Sequence, residues 1–480
     1  MQEWSDILWP GLGVLWLGLG AWSAAHAVMY KRDSYSASVW ALISFLLPIA
    51  GPWLYWVLGI NRIERRAVRR RETRLRLGPT VDPARPEPSP PAPFEAGGPL
   101  GSLRTIADRV TRLPLLSGNK MEPLHNGEQA YPAMLETIDR AEQTLTLASY
   151  IFDWDEVGHR FADTCAAAAR RGVRVHILLD GIGAVTTFSR MGRRLLREGV
   201  KVAAFFPLRI PFGRLRINLR NHRKILVADG RVGFTGGMNV SRRYLMQQDS
   251  PRRVEDLHFR VTGPVVAEMQ ECFAEDWQLA TEERLMGEEY FPALSPTGDA
   301  HCRGIISGPD EDFEKIHWIL LGACSAARRS LRFVTPYFVP SAALIGAMVM
   351  ASLRGVAVSL YLPSKLDLPY MRWAADAYLW QLLSHGVRVY RRPPPFVHTK
   401  LLIVDESWLL LGSANLDRRS FRLNFEFNVE AYDAVLADSL ARWLDSLIPG
   451  SETVTLEKMD DRPKVVRFRD GVARLFSPHL

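Results

Sequence analysis

The chain begins with two long stretches that carry no charged side chain. Residues 7–29 and 36–60 contain no Asp, Glu, Lys or Arg, and each is long enough to cross a hydrocarbon core of about 30 Å as a helix. The pattern predicts that residues 1–62 form a transmembrane hairpin of two helices. A cleaved signal peptide is the alternative for the first stretch, but the usual basic start is missing and a second apolar stretch follows closely.

A strongly basic stretch follows these apolar residues. Residues 62–76 contain eight arginines and two glutamates, so most of the net charge of +8 lies here. Positive residues favour the cytoplasmic side of a membrane helix, so both chain ends are expected in the cytoplasm. Contact with anionic lipid headgroups and a solvated helix end are both possible roles for the arginines. Because Pro and Gly dominate residues 77–102, we expect 63–105 to be a basic juxtamembrane segment and a linker.

The rest of the chain alternates strand-like and helix-like patterns, and does so twice. Strand patterns occur in the first half at 144–152, 173–180 and 200–206 and in the second half at 330–338, 356–363 and 387–390. This alternation predicts an α/β protein with a duplicated domain, at 106–295 and 296–480, whose mixed, mainly parallel sheets pack about a pseudo-twofold axis.

A polar motif also occurs twice, once in each half. His222, Lys224, Asp229, Gly236, Gly237 and Asn239 return at the same spacing as His398, Lys400, Asp405, Gly412, Ser413 and Asn415. Each His and its Lys are two residues apart beside an apolar run, so on a strand they point to the same face. The small-residue turn lets backbone approach a phosphate, and the Asn offers an amide donor. Two copies together would surround one anion with imidazoles, ammonium groups and amides.

The repeated motif and its flanks resemble the bacterial cardiolipin synthases of the phospholipase D superfamily, whose signature is HxKxxxxD. The flanks that carry the resemblance are RNHRK at 220–224, GGMN at 236–239, GSANLDRRSF at 412–421 and LNFEFN at 423–428. The likeness covers almost the whole chain outside residues 77–105.

The resemblance implies a reaction carried out by two histidines. One attacks the phosphorus of a phosphodiester and forms a phosphohistidine, while the other protonates the leaving alcohol. By analogy with relatives, His222 is the expected nucleophile, and Asp256 and Glu426 are the expected carboxylates that orient the histidines. The other expected roles are charge stabilisation by Lys224 and Lys400, phosphate binding by Asn239, Asn415, Gly237 and Ser413, and structural hydrogen bonds from the motif residues Asp229 and Asp405.

The same resemblance implies a multi-pass enzyme of the bacterial inner membrane with a cytoplasmic catalytic domain. Its expected reaction converts two phosphatidylglycerols into cardiolipin and glycerol, with no metal or cofactor. The expected partners are this anionic phospholipid and the bilayer, without nucleic acid, and the oligomeric state stays open. A phospholipase D-type hydrolase, a phosphatidyltransferase with another donor or acceptor, a nuclease and a non-catalytic membrane scaffold remain as alternatives; the low charge of the body disfavours the nuclease.

Two further patterns carry expectations. Arginines alternate with apolar residues over 205–223, just before the first motif, which favours contact with anionic phospholipid over a solvated loop. The four cysteines lack CxxC spacing and are expected to be buried, reduced thiols. They are Cys165, Cys272, Cys302 and Cys324.

Overall fold

A computed structural model describes most of the chain. The described residues are 2–31, 34–47, 49–59, 99–181, 188–206, 219–247, 250–309 and 313–475, and they form an N-terminal helical unit and a larger α/β unit. The arginine-rich stretch 62–76, the linker at 77–98 and residues 207–218 of the segment before the first motif lie outside the described residues.

The N-terminal unit contains three helices, α1 (Gln2–Tyr30), α2 (Ser34–Leu46) and α3 (Ala50–Leu54), followed by a π-helical turn at Tyr55–Gly59. The second apolar stretch is therefore not one helix. At Ile49 the backbone has a φ of 61°, which belongs to the left-handed region and interrupts a right-handed helix.

Among the residues just described, no helix is both long and apolar enough to cross a membrane. The predicted transmembrane hairpin of two helices is thus not supported. The second stretch fails because it is divided into short pieces.

The α/β unit contains the two halves of the duplication. Its helices are α4 (Pro99–Thr111), α5 (Asn126–Arg140), α6 (Glu156–Arg170), α7 (Arg193–Arg197), α8 (Val266–Thr281), α9 (Lys315–Ala326), α10 (Ala342–Leu353), α11 (Pro369–Leu383), α12 (Arg418–Arg422), α13 (Ala434–Ser446), α14 (Leu456–Asp460) and α15 (Lys464–Leu475). Single turns of π-helix and 3₁₀-helix lie at Phe188–Gly192 and Arg242–Tyr244.

The strands alternate with these helices. They are β1 (Leu116–His125), β2 (Thr144–Ser149), β3 (Arg174–Asp180), β4 (Lys201–Phe205), β5 (Arg220–Asn221), β6 (Ile225–Ala228), β7 (Val232–Gly236), β8 (Val254–Glu255), β9 (Leu257–Thr262), β10 (Ala300–Ser307), β11 (Ser330–Val334), β12 (Phe338–Val339), β13 (Ala357–Pro363), β14 (Arg388–Arg392), β15 (Phe396–Val397), β16 (Leu401–Val404), β17 (Trp408–Gly412), β18 (Leu416–Asp417), β19 (Asn424–Tyr432) and β20 (Glu452–Val454).

Strand order makes the duplication visible. From the centre of the main sheet outward, the first half runs β1, β9, β7, β6, β2, β3, β4, and the second half runs β10, β19, β17, β16, β11, β13, β14 and then β20. The two halves meet where β1 pairs antiparallel with β10. The predicted duplicated α/β domain is therefore confirmed, and its two copies are joined edge to edge in one mixed sheet.

The expectation that this sheet is mainly parallel is wrong. Parallel pairing in the main sheet is limited to the outer strands β2, β3, β4 and β11, β13, β14 and to the short β5 beside β19. The central pairings are antiparallel, including the β6–β7 and β16–β17 hairpins that carry the motifs. A tight hairpin can join only antiparallel strands, whereas parallel neighbours need a crossover helix.

The motif strands are buried on both faces, which explains why their apolar runs are continuous rather than alternating. In β6, Leu226 packs in the core beneath α5 and α6, while Ile225 packs in a second core beneath α8 and α13. In β16, Leu402 belongs to the core under α9 and α10, and Leu401 faces the same second core. One shared core therefore holds both motif hairpins in fixed positions.

The four cysteines are buried free thiols, as predicted. Cys165 and Cys324 lie in α6 and α9, and burial raises the pKa of each thiol to about 12. These side chains therefore pack as small apolar groups and stay protonated near neutral pH.

Candidate active site

The backbone of each motif histidine is tied to the opposite half of the duplication. His222, just before β6, donates its N–H to the Phe425 carbonyl in β19 over 2.9 Å. His398, just before β16, donates its N–H to the Glu255 carbonyl in β8 over 2.8 Å. Each motif thus begins where it can contact residues of the other repeat, and the two motifs are brought to one place.

The histidine side chains are also paired across the repeats. His222 Nδ1 lies 2.9 Å from Glu426 Oε2 and 3.1 Å from Oε1. His398 Nδ1 lies 2.8 Å from Asp256 Oδ2. Glu426 and Asp256 are the two carboxylates expected to orient the histidines, and each serves the histidine of the other repeat.

Both carboxylates have the charge state that orientation requires. Burial alone would raise the pKa of Asp256, but the His398 hydrogen bond and the charges of His398 and Lys400 hold it below its usual value. Burial opposes ionisation of Glu426 as well, and the charge and hydrogen bond of His222 lower its pKa. An ionised carboxylate can only accept a hydrogen bond. Each histidine therefore carries its proton on Nδ1 and leaves Nε2 open to the site.

Two buried lysines share this electrostatic environment. Lys224 Nζ donates to the His222 carbonyl over 2.6 Å, and Lys400 Nζ donates to the His398 carbonyl. Burial lowers the pKa of both histidines, and the charges of both lysines lower it further. The two motifs consequently behave as one electrostatic unit, in which two neutral imidazoles lie beside two ammonium groups.

The motif aspartates hold the chain in place. Asp229 and Asp405 each have a φ of 50° at the turn after the motif strand. The Asp229 carboxylate accepts the N–H groups of residues 142–144 at 2.7 to 2.9 Å, and that of Asp405 accepts those of residues 328–330 at 2.7 to 2.9 Å. These contacts fasten each motif hairpin to the start of the neighbouring strand, β2 or β11.

The two motif asparagines lie in different surroundings. In Asn239, Oδ1 accepts from the Ile151 N–H over 3.1 Å and Nδ2 donates to the Tyr244 hydroxyl over 3.1 Å. Asn415 is equally buried, but its Oδ1 has no hydrogen-bond partner within the described part of the chain. The Asn239 amide therefore holds two protein groups, whereas Asn415 Oδ1 is a buried acceptor without a described donor.

Gly237 and Ser413, which were expected to bind phosphate, lie against the orienting carboxylates. A Cβ on Gly237 would stand 2.4 Å from Asp256 Oδ2. The Ser413 hydroxyl is fully buried and donates to Glu426 Oε2 over 2.5 Å. Gly237 and Ser413 are thus equivalent positions that lie against the two carboxylates. Gly237 leaves the space that Asp256 occupies, and Ser413 donates a hydrogen bond to Glu426.

This close approach makes Gly237→Ala a selective probe of histidine orientation. The added methyl group must push Asp256 away and so break its hydrogen bond to His398, and we expect kcat to fall by about 10²-fold, as for other small misplacements of catalytic groups. Gly346→Ala in α10 is the matched control, because a Cβ there meets nothing within 4 Å. Steady-state kinetics compares the two variants; equal activity would mean that Asp256 is not fixed by this contact.

Three residues of the site were not found from the sequence. Asn424 Nδ2 donates to Glu426 Oε1 over 3.0 Å, and its position two residues earlier on the same strand could have indicated this. The Tyr150 ring lies 5.2 Å from the His222 ring and 5.6 Å from Lys224 Nζ. Tyr244 lies 6.4 Å from His398, ring to ring. Neither tyrosine belongs to a repeated pattern that would have marked it.

Part of the segment before the first motif is buried, which corrects the expectation that all of it contacts lipid. Arg223 donates to Asp276 Oδ1 over 2.6 Å and to the Glu426 carbonyl over 3.2 Å. Arg220 and Phe205 are also buried. These side chains lie between the two repeats and are not available to contact lipid. A buried guanidinium is stable only when acceptors such as these pair with it.

Comparison with known proteins agrees with this architecture. Residues 134–277 and 320–448 match the family model described as "Cardiolipin synthase, PLD-like domain", and residues 18–59 match one described as "Phospholipase_D-nuclease N-terminal". The crystal structure of a phosphatidylserine synthase from Haemophilus influenzae Rd KW20 superposes with a TM-score of 0.63 at 15% identity, covering 79% of this chain and 100% of that one. Fold and site together define a duplicated phospholipase D-like protein.

Relatives with similar sequences identify the family within this class. Cardiolipin synthase A of Pseudomonas putida (strain GB-1) is 32% identical over 471 residues, covering 98% of each chain. The major cardiolipin synthase ClsA of Bacillus subtilis (strain 168) is 31% identical over 462 residues, covering 94% of this chain and 95% of the relative. The chain belongs to the cardiolipin synthase family, as its motif predicted.

Proposed function

We propose that the protein is a phosphatidyltransferase that converts two molecules of phosphatidylglycerol into cardiolipin and glycerol. The observation that carries the proposal is the pair of histidines, one buried and one partly buried, each held by a carboxylate of the opposite repeat and flanked by a buried lysine, in a member of the cardiolipin synthase family. Such a pair suits the exchange of one phosphodiester for another, since one imidazole can attack while the second transfers a proton.

In the first half-reaction, His222 Nε2 attacks the phosphorus of one phosphatidylglycerol. Binding of the anionic phosphate beside His398 raises the pKa of its imidazole, which takes up a proton from solvent on Nε2 before the reaction. The bond from phosphorus to the glycerol headgroup then breaks, and the departing oxygen takes this proton from His398 Nε2. Glu426 accepts a hydrogen bond from the Nδ1–H group of His222 and stabilises the positive charge that the ring gains. The products of this step are a phosphatidyl group on His222 and free glycerol.

The second half-reaction reverses the proton transfer. His398, now neutral, removes a proton from the terminal hydroxyl of a second phosphatidylglycerol, and that oxygen attacks the phosphohistidine. The bond from phosphorus to His222 breaks, and cardiolipin is released. One phosphodiester replaces another, so the reaction has little driving force, and excess glycerol should pull it backward.

The phosphate charge is balanced by groups that are fixed before the lipid arrives. Lys224 and Lys400 lie beside the histidines, and the Nδ2 group of the buried Asn415 is a further donor for a phosphate oxygen. Preorganised donors of this kind stabilise developing charge without a cost of reorganisation during the reaction. Asn239 supports the site indirectly through its hydrogen bond to Tyr244. Gly237 and Ser413 do so through their contacts with the two orienting carboxylates.

Both substrates are lipids, and the proposed site of action is the surface of a bilayer. The arginine-rich stretch 62–76 supports this location, because clustered arginines are attracted to anionic headgroups. The same stretch supports a cytoplasmic position at the bacterial inner membrane, because the cytoplasmic leaflet carries a negative surface potential.

Product analysis with purified full-length protein tests the proposed function. Vesicles of phosphatidylglycerol alone, without nucleotide-activated lipid, should yield cardiolipin and free glycerol in equal amounts, and chelation by EDTA should leave the rate unchanged. Phosphatidic acid as the dominant product would instead indicate a hydrolase. A requirement for phosphatidylethanolamine or a nucleotide-activated lipid would indicate another phosphatidyltransferase.

The lysines predict how activity depends on pH. Burial lowers the pKa of Lys224 to about 7 and that of Lys400 to about 8. Each ammonium is charged below its pKa and loses its charge as the pH rises through it, so kcat/KM, which reports the free enzyme, should decline above about pH 7 to 8. Bound phosphate favours the charged amines, so the alkaline limb of kcat should lie at higher pH than that of kcat/KM. Coincident limbs would contradict the assignment of the lysines to the phosphate.

A further inference from the structure

The last described helix, α15, leaves one apolar face uncovered. Its exposed apolar residues are Val465 (79% exposed), Phe468 (75%), Val472 (37%) and Leu475 (55%). They follow one another at intervals of three or four residues, so they lie along the same side of the helix. The opposite side carries Asp470 and Ala473, which are buried. We call the four exposed residues the apolar strip.

The charges around the apolar strip are mainly positive. The helix contains four basic residues, Lys464, Arg467, Arg469 and Arg474, and one acidic residue, Asp470. Asp470 is buried and accepts hydrogen bonds from Arg462 and Arg469, each over 2.7 Å. Arg467 and Arg474 precede Phe468 and Leu475 by one residue, which places them along one edge of the strip.

Two of the arginines are backed by aromatic rings of the neighbouring helix. The Arg469 guanidinium lies 4.6 Å from the centroid of the Trp373 ring, and that of Arg474 lies 6.0 Å from the Tyr378 ring. Both rings belong to α11. A helix with Lys and Arg on one face and apolar residues on another is typical of helices that lie at a membrane interface.

A chain of packed residues leads from this helix to the active site. Ala473 of α15 packs with Met371 of α11 in a cluster that includes Tyr337. The Tyr337 ring lies 6.1 Å from the Phe396 ring, and Phe396 lies 5.8 Å from the His398 ring. A surface that docks through α15 would therefore be adjacent to the wall of the site that holds His398.

We propose that α15 docks on the surface of a bilayer that contains anionic phospholipid, with the apolar strip entering the boundary between headgroups and acyl chains. The proposal goes beyond the proposed function and rests on it only in that the substrates lie in a bilayer. Charge complementarity favours lipid as the occupant. A protein partner is a poorer fit, because a stable interface buries about 800 Å² on each side, more than four side chains of one short helix provide.

Kinetics on two forms of the same substrate test the docking. The double variant Val465→Ser, Phe468→Ser should lower turnover of phosphatidylglycerol vesicles by about tenfold, because interfacial binding scales with the apolar area that is buried. Turnover of monomeric dihexanoyl phosphatidylglycerol should stay unchanged, since that substrate needs no docking. Val435→Ser is the control, because Val435 is 82% exposed on α13, which packs in another core cluster.

The outcomes separate this proposal from the proposed function. Unchanged turnover of vesicles by the double variant, or an equal loss with both substrates, would overturn the docking. If the unmodified protein made no cardiolipin from either substrate, the proposed function would fail instead, and docking would then be judged by binding alone.

Fluorescence measures that binding without catalysis. The four native cysteines are buried, so an environment-sensitive dye can be attached at Val465→Cys in the full-length protein, with Val435→Cys as the control. The dye at 465 should shift to shorter wavelength with vesicles that contain phosphatidylglycerol, less so with phosphatidylcholine alone, and the shift should weaken as salt is added. An equal shift at both positions, or one that depends on protein concentration without lipid, would overturn the proposal and indicate non-specific adsorption or contact with a second copy.

Discussion

Replacement of either His222 or His398 by alanine is expected to lower kcat by about 10⁴-fold or more, and the double variant is expected to be scarcely worse than either single one. The two imidazoles act as a unit, since one forms the bond to phosphorus while the other moves the proton. Their shared electrostatic environment, in which both lysines lower the pKa of both histidines, agrees with this coupling. Cardiolipin formation from phosphatidylglycerol vesicles, measured for the four proteins, gives the comparison.

A control histidine separates loss of chemistry from general damage. His385 lies exposed in the turn just after α11, and His385→Ala should keep near-normal activity. Near-normal activity in either active-site variant would show that the motif has been misread. A double variant whose loss equals the product of the two single losses would mean that the histidines contribute separately.

The orienting carboxylates should have the second largest effect. Asp256→Asn and Glu426→Gln preserve shape but remove the charge that keeps each imidazole proton on Nδ1, and a comparable change in a serine protease triad costs about 10⁴ in kcat. We expect each variant to lose about 10²- to 10⁴-fold in kcat with a smaller change in KM, because the lost interaction is strongest in the transition state.

The cross-repeat pairing gives this prediction a structural readout. Proton NMR of the imidazole N–H groups should show a downfield signal for each histidine held by a carboxylate. Asp256→Asn should remove or shift the signal of His398 and leave that of His222, while Glu426→Gln should do the reverse; spectra of the alanine variants assign the signals. If Asp256→Asn changed His222 instead, the pairing would be within each repeat and the assignment would be wrong.

Much of this site could be predicted because it depends on local spacing. A His and a Lys two residues apart on a strand share a face, and an identical pattern in both halves indicates duplication. The structural role of Asp229 and Asp405 also follows from sequence, since both lie at a turn after an apolar run. Their carboxylates indeed accept backbone N–H groups of the neighbouring strand's start.

The partners of these groups could not be predicted, because they come from distant parts of the chain. The pairs His222 with Glu426 and His398 with Asp256 depend on how the two repeats meet at β1 and β10. The use of the Asn239 amide by Ile151 and Tyr244 depends on the same tertiary packing. Spacing in the sequence shows which side chains point to the same face. It does not show which of them already have a hydrogen-bond partner within the protein.

The N-terminal and sheet predictions failed for a related reason. The absence of charge over residues 36–60 indicated a helix that spans a membrane, but the chain forms two shorter helices there, with the left-handed residue Ile49 between them. In the same way, alternation of helices and strands indicated parallel pairing, although the motif hairpins and the central pairing of β1 and β10 make the middle of the sheet antiparallel. The charge of a long stretch and the order of helices and strands do not reveal a break at one residue or a pairing between distant strands.

The most direct test of the central claim, that phosphatidyl transfer passes through a covalent histidine, is a burst measurement with the p-nitrophenyl ester of phosphatidic acid. This leaving group departs without a proton, so His398→Ala should release one p-nitrophenol for each active site and then stall, since no base activates the acceptor. His222→Ala should give no burst, and mass spectrometry should find the phosphatidyl group on His222 of the stalled protein. A burst from His222→Ala alone would exchange the two roles, and sustained turnover by both variants without any covalent adduct would contradict the mechanism.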